Sequence, residues 1–98
     1  MCGIVGYIGN KDASPVLIEG LSKLEYRGYD SSGVAIINKD KIQIEKCKGR
    51  LKNLENKLDE CPVMGEVGIG HTRWATHGEP SDANSHPHFN KDKTIAVV

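Results

Sequence analysis

The chain has 98 residues, room for one small domain with a real core, since a chain of this size buries about 60–70% of its unfolded surface. Hydrophobic residues at 38%, together with 11 glycines, make the composition that of a globular domain rather than a disordered one. Thirteen Lys and Arg balance thirteen Asp and Glu, so the net charge is zero and no positive field exists to hold a nucleic acid.

No apolar run approaches the roughly 18 residues that a membrane span needs, and the N-terminus lacks the basic and then apolar layout of a signal peptide. Three cysteines, at 2, 47 and 61, form no C-x-x-C pair. An odd, unpaired set suits a reducing compartment, so the expected location is the cytoplasm. Cys47 and Cys61 read as ordinary thiols packed against apolar neighbours.

In chain order, residues 3 to 8 predict a short buried strand closed by the turn-prone Gly9-Asn10. A helix follows, with Asp12 or Ser14 to cap it, Pro15 in its first turn, and Leu17, Ile18, Leu21 and Leu24 on one face. "EYRGYDSSG" breaks that periodicity and reads as a turn. "GVAII" at 33–37 predicts a second strand and the alternation around Ile42 and Ile44 a third, joined through "NKDK" as a hairpin. Leu51, Leu54 and Leu58 predict an amphipathic helix over 50–60, stopped by Pro62. Val67 and Ile69 lie in a fourth strand that leads into "HTRWATHGEP". From Ala75 to Asn90 the chain is polar and long for a structureless loop, the mark of a binding segment. "TIAVV" predicts a last strand, and an apolar strand that ends on Val97-Val98 suggests a chain stopping inside a larger domain. The mixed order of strands and helices points to an α+β layered fold.

Cys2 is the residue with unusual chemistry. Once the initiator methionine is removed, Cys2 carries a thiol and a free α-amine together. An α-amine ordinarily titrates near 7.7–8.0, against about 10.4 for lysine, so it can act as a base at neutral pH and activate the adjacent sulfur. Taken alone, a cysteine at this position is equally the incidental start of a strand. A second signal is "HTRWATHG". Arg73 offers a planar fork that matches a carboxylate, Thr72, Thr76, His77 and the backbone at Gly78 can orient an amino acid, and Trp74 supplies an apolar wall. The plainer alternatives are a surface ion pair for Arg73 and a core position for Trp74. The histidines at 71, 77, 86 and 88 lack the spacing of a zinc site and read as polar loop residues, so no metal is expected.

Three stretches, "MCGIVGYIG", "LEYRGYDSSG" and "GHTRWATHGEPSDANSHPH", resemble the glutaminase domain of the glucosamine-6-phosphate synthase family, the glutamine:fructose-6-phosphate amidotransferases. These are class II members of the N-terminal-nucleophile hydrolases. The resemblance spans the chain from Cys2 to Val98. It implies a four-layer αββα sandwich, here incomplete, with residues 1–98 as the N-terminal part of the glutaminase domain and the sugar isomerase domains absent. It implies hydrolysis of L-glutamine to glutamate and ammonia, with Cys2 forming a γ-glutamyl thioester and its own α-amine as general base. Arg73 would hold the substrate carboxylate, Thr76 and His77 would complete that pocket, Trp74 would lie on the loop that closes over it, and Arg27 would be a supporting loop residue. No cofactor is implied. Fructose-6-phosphate would be met only through the absent domains, and the full-length protein would be a homo-oligomer. The family's oxyanion-hole Asn-Gly pair and the aspartate that holds the substrate amine lie beyond Val98, so the 98-residue chain alone is expected to be inactive. Other readings left open are a different class II amidotransferase and a non-catalytic module that senses an amino acid through Arg73.

Overall fold

The structure, a computed structural model, describes residues 2–25, 30–74, 81 and 83–98. Among the described residues, six strands and two helices follow in the order β1 (Gly3–Ile8), α1 (Ala13–Leu24), β2 (Ser31–Asn38), β3 (Lys41–Lys48), α2 (Leu51–Glu60), β4 (Val67–Arg73), β5 (His88–Phe89) and β6 (Ala96–Val97). Strands β1 to β4 form one sheet in the order β1-β4-β2-β3, antiparallel throughout, while β5 and β6 form a separate two-stranded ribbon. The expected α+β class is present. No helix among the described residues is long and apolar enough to cross a membrane.

Alternation along the strands divides the main sheet into two unlike faces. Val34 and Ile36 of β2 point to the helices, and both are fully buried with Leu17 and Leu21 of α1 and Leu54 of α2. Val5, Tyr7 and Cys47 pack on the edges of this core. Along its middle, strand β4 presents only Gly68 and Gly70 there. A Cβ added at Gly68 would lie 2.9 Å from both Ile36 Cγ1 and Leu17 Cδ1, so the absence of a side chain is what lets α1 settle onto the central strand. The other face carries Ile4, Ile8, Ile37, Ile42, Ile44, Val67 and Ile69, and Ile4 and Ile8 remain 59% and 81% exposed.

The helices are capped from a distance. Asp12 occupies the N-cap position of α1 without a side-chain cap, and the Ala13 N–H donates instead to the Gly65 carbonyl at 2.7 Å. For α2, the Leu51 N–H donates to Glu25 Oε2 at 2.8 Å, which sets a carboxylate against the helix N-terminus from just past the end of α1.

Several expectations need correction. Strand β1 is not buried as a whole, because alternate residues face the open side of the sheet and leave Ile4 and Ile8 exposed. Ser31 and Ser32 are not turn residues: they open β2, pairing with Lys48 and Cys47 on one side and with Arg73 and Thr72 on the other. Cys61 is exposed, because it lies past the last buried leucine of α2, whereas Cys47 packs against the core as expected. The 75–90 stretch is not wholly a loop, since Ser85 and Pro87 are buried and His88–Phe89 forms β5. The last strand shortens to Ala96–Val97. Its hairpin is organised by Asn90, whose Oδ1 accepts from the N–H groups of Thr94 and Ile95 at 2.8 and 2.9 Å.

Candidate functional site

The antiparallel pairings bring the chemistry-bearing residues to one end of the sheet. Strand β1 starts where β4 ends, with Gly3 opposite Thr72, so continuing the pairing by one residue sets Cys2 across from Arg73. On its other side Arg73 is paired with Ser31 at the start of β2. The central strand therefore presents its terminal arginine between the N-terminal cysteine and the Asp30-Ser31 corner. The register thus brings two residues 71 positions apart in sequence to the same end of the sheet.

Cys2 is exposed, and its Sγ lies 3.9 Å from the Trp74 carbonyl oxygen. Arg73 is only 8% exposed, and its Nη1 sits 3.7 Å from Asp30 Oδ1. That carboxylate oxygen also accepts from Ser31 Oγ at 3.0 Å, and the Asp30 N–H donates to the Arg73 carbonyl at 2.6 Å. The Arg73–Asp30 pair is thus built into the fold from both backbone and side chain, rather than the surface ion pair that is the plainer alternative for an arginine here. Trp74 is half exposed, not a core residue. Thr76, His77 and Arg27 lie outside the described residues.

Next to Arg73 on the same face of β4 stands His71, buried, with its ring stacked on His86 at 4.1 Å between centroids and 21° between planes. His88 follows, its ring tilted against His86 at 4.4 Å. His71 is therefore a strand residue with its ring in the interior, not the loop histidine expected. Burial first, then the nearby charges of His86, Arg73 and His88, push its pKa down from 6.5 to about 4, with Asp30 pulling the other way. His86 is lowered as well, by burial and then by His88, Arg73 and Lys46. The Nδ1 atoms of both His71 and His86 are buried without a hydrogen-bond partner among the described residues. Their rings meet face to face rather than aiming nitrogens at a common point, and among the described residues no three His, Cys, Asp or Glu are arranged to hold a metal ion.

Two cavities lie elsewhere. A 370 Å³ groove between α1 and α2 is lined by residues that include Asp12, Ile18, Glu55 and Met64, and a 160 Å³ cleft runs under Ala96 on the open sheet face. Neither is lined by Cys2 or Arg73. Sequence reasoning singled out Cys2, Arg73 and Trp74 but missed Asp30 and Lys46. Asp30 lies in the stretch read as a turn, and nothing in the sequence sets Lys46 apart from the other lysines. Only the strand register reveals either.

Comparison with known proteins bears on all of this. Over its full 98 residues the chain is 74% identical to the glutamine–fructose-6-phosphate aminotransferase (isomerizing) of Clostridium acetobutylicum, 71% to that of Clostridium tetani and 69% to that of Clostridium perfringens. It spans 16% of the length of each. No family model matches the chain. Among solved structures, the glutamine phosphoribosylpyrophosphate amidotransferase of B. subtilis superposes with a TM-score of 0.76 over 94% of this chain and 20% of that one, at 23% identity, a likeness of fold.

Proposed function

Because the chain belongs to the glutamine–fructose-6-phosphate aminotransferase family, to whose N-terminal part it corresponds, we propose that it is the first portion of a glutaminase domain in which Cys2 attacks the side-chain amide of glutamine. The observation that carries this reading is the register that sets the exposed Cys2 across the strand pair from the buried, pre-oriented Arg73.

With the initiator methionine removed, the α-amine takes the proton from Sγ and the sulfur adds to the amide carbonyl. The tetrahedral adduct collapses when the protonated amine gives its proton to the leaving nitrogen, which releases ammonia and leaves a γ-glutamyl thioester. Water, deprotonated by the same amine, then adds to the thioester carbonyl, and glutamate departs as the sulfur recovers its proton. Arg73 binds the α-carboxylate several bonds away, which fixes the amide in line with the sulfur. Asp30 holds the guanidinium fork in that orientation. Thr76 and His77 complete the carboxylate pocket, Trp74 belongs to the closing loop, and Arg27 supports the nucleophile. Ammonia is handed on to fructose-6-phosphate by sugar-binding domains outside these residues, in a homo-oligomeric cytoplasmic enzyme.

The exposed apolar half of the sheet supports the further reading that the domain is a four-layer αββα sandwich, of which α1, α2 and the main sheet are two layers. A second sheet packed on Ile4, Ile8 and Ile37 would remove that surface from water. Segments that follow in such a domain supply the oxyanion donors, so the 98 residues alone turn over glutamine negligibly.

Intact mass and labelling test the proposal. In a longer polypeptide that carries this chain, Met1 is expected to be absent, and a glutamine analogue with an electrophilic γ-carbon should modify Cys2 in preference to Cys47 and Cys61. Retention of Met1 in an active protein, or turnover that survives Cys2→Ala, overturns it. A module that merely senses an amino acid would show neither labelling nor ammonia release.

A further inference from the structure

On the open sheet face above β2 and β3, residues 83–88 lie as a strap, and one cation holds them. Lys46 Nζ donates to the carbonyl oxygens of Ser85 at 3.0 Å, Pro87 at 3.4 Å and Ala83 at 3.5 Å. It also stands 5.2 Å from the centroid of the Phe89 ring. An ammonium with three donors and three carbonyls converging on it is a staple rather than a solvated surface lysine. Gly33, the β2 partner of Lys46, makes room for it: an added Cβ would collide with the His86 carbonyl oxygen, Lys46 Cβ and Pro87 Cδ. Ser85 is fully buried, and its Oγ donates to the Ser81 carbonyl at 2.7 Å. The strap brings His86 onto His71, two residues before Arg73 on the same face of β4.

We propose that Lys46 is a positioning residue for the Arg73 carboxylate site: by stapling the 83–87 strap to β3 it keeps His86 stacked on His71, and this stack walls the guanidinium off from water. The proposal rests on the reading that Arg73 binds the substrate carboxylate. A guanidinium held dry and in one orientation by Asp30 on one side and the imidazole stack on the other binds a carboxylate more tightly than a hydrated, mobile one. Lys46 touches no substrate. The groups around the histidine pair are Arg73 and His71 on β4, Asp30 ahead of β2, Lys46 on β3 and His88 on β5.

The test compares Lys46→Met, Lys46→Arg and Gly33→Ala in a glutaminase-competent polypeptide carrying this chain, with two readouts. In steady-state kinetics, Lys46→Met should raise KM for glutamine about tenfold, roughly the loss of one charge-assisted hydrogen bond, and leave kcat within about twofold. Lys46→Arg, which keeps the cation and its donors, should stay near wild type. Gly33→Ala, which pushes the strap away without altering any charge, should reproduce the Lys46→Met effect. By NMR, the His71 ring signal should titrate at higher pH in both Lys46→Met and Gly33→Ala than in wild type, because the loosened ring gains water; the His86 signal is diagnostic only in Gly33→Ala, since the Lys46 charge itself lowers the His86 pKa and its removal raises that pKa with the strap in place. Unchanged KM or an unchanged His71 titration in Lys46→Met would overturn the proposal, as would loss in Lys46→Arg equal to that in Lys46→Met. If Arg73→Lys leaves KM at the wild-type value, the carboxylate reading fails instead, and the ring titration still decides whether Lys46 holds the strap.

Discussion

The two faces of the main sheet solve different problems with the same strands. On the helix side, Leu17, Leu21, Val34, Ile36 and Leu54 are fully buried and Gly68 lets α1 approach the central strand closely, so the face is dry and saturated with contacts. The opposite side is divided along its length. Its upper end carries charge and hydrogen bonding, with Arg73 paired to Asp30 and with His71 and Lys46 in contact with the strap, while its lower end presents Ile8 and Ile37 to solvent. The apolar core lies on the first face and the cluster of charged and polar groups on the second, and the exposed lower end belongs to neither until something packs on it.

Mutations can break that contrast. Leu54→Ala on the helix face should destabilise the chain by about 2–5 kcal/mol in urea titrations, because the site is fully enclosed and cannot collapse. Ile8→Ala on the bare face should cost under about 0.5 kcal/mol by the same measurement, since the side chain is 81% exposed. Comparable losses at both positions would mean that the two faces are equally covered.

Acid should act on the histidine face. His71 has its pKa lowered from 6.5 to about 4 by burial and neighbouring positive charge, so the folded state resists its protonation while the unfolded state accepts it. Its contribution to stability is complete above about pH 6.5 and is lost as pH falls through that value toward about 4. His86 is lowered in the same direction and adds to the loss. The thermal midpoint should therefore fall more between pH 7 and 4.5 in wild type than in His71→Phe, which keeps a flat ring but cannot take a proton. Equal slopes would show that the buried imidazole is not the acid-sensitive element. A smaller effect is expected at the distant cap: Glu25→Ala removes the carboxylate that accepts from the Leu51 N–H and should cost about 1 kcal/mol. As small as the Ile8→Ala effect, Lys23→Ala, which breaks the exposed pair with Glu19 at 3.8 Å, should shift stability by no more than about 0.5 kcal/mol.

How far the sequence revealed this division can be judged residue by residue. The helix face was legible, because Leu17 and Leu21 recur at helical spacing and the leucines at 51, 54 and 58 match the observed α2. Cys2 and Arg73 could be singled out because a thiol beside a free amine and a planar cation at a strand end each carry chemistry on their own. What stayed hidden depends on pairing across long sequence separations. Ser31 and Ser32 look like turn residues until the ladder places them between Lys48 and Arg73. His86 reads as one polar loop residue among several, and only the fold lays it on His71. The same is true of Glu25 as a cap for a helix that begins 26 residues later.

The central claim is that Arg73 delivers an amino-acid carboxylate so that its far end meets Cys2, and labelling rates test it most directly. In a longer active polypeptide, Cys2 should be alkylated by an electrophilic glutamine analogue at least about tenfold more slowly in Arg73→Lys than in wild type, because lysine cannot reproduce the two-point grip on the carboxylate. Alkylation by iodoacetamide, which has no carboxylate to hold, should proceed at the same rate in both proteins. Equal rates with the glutamine analogue, or an equal slowing with both reagents, would contradict the account.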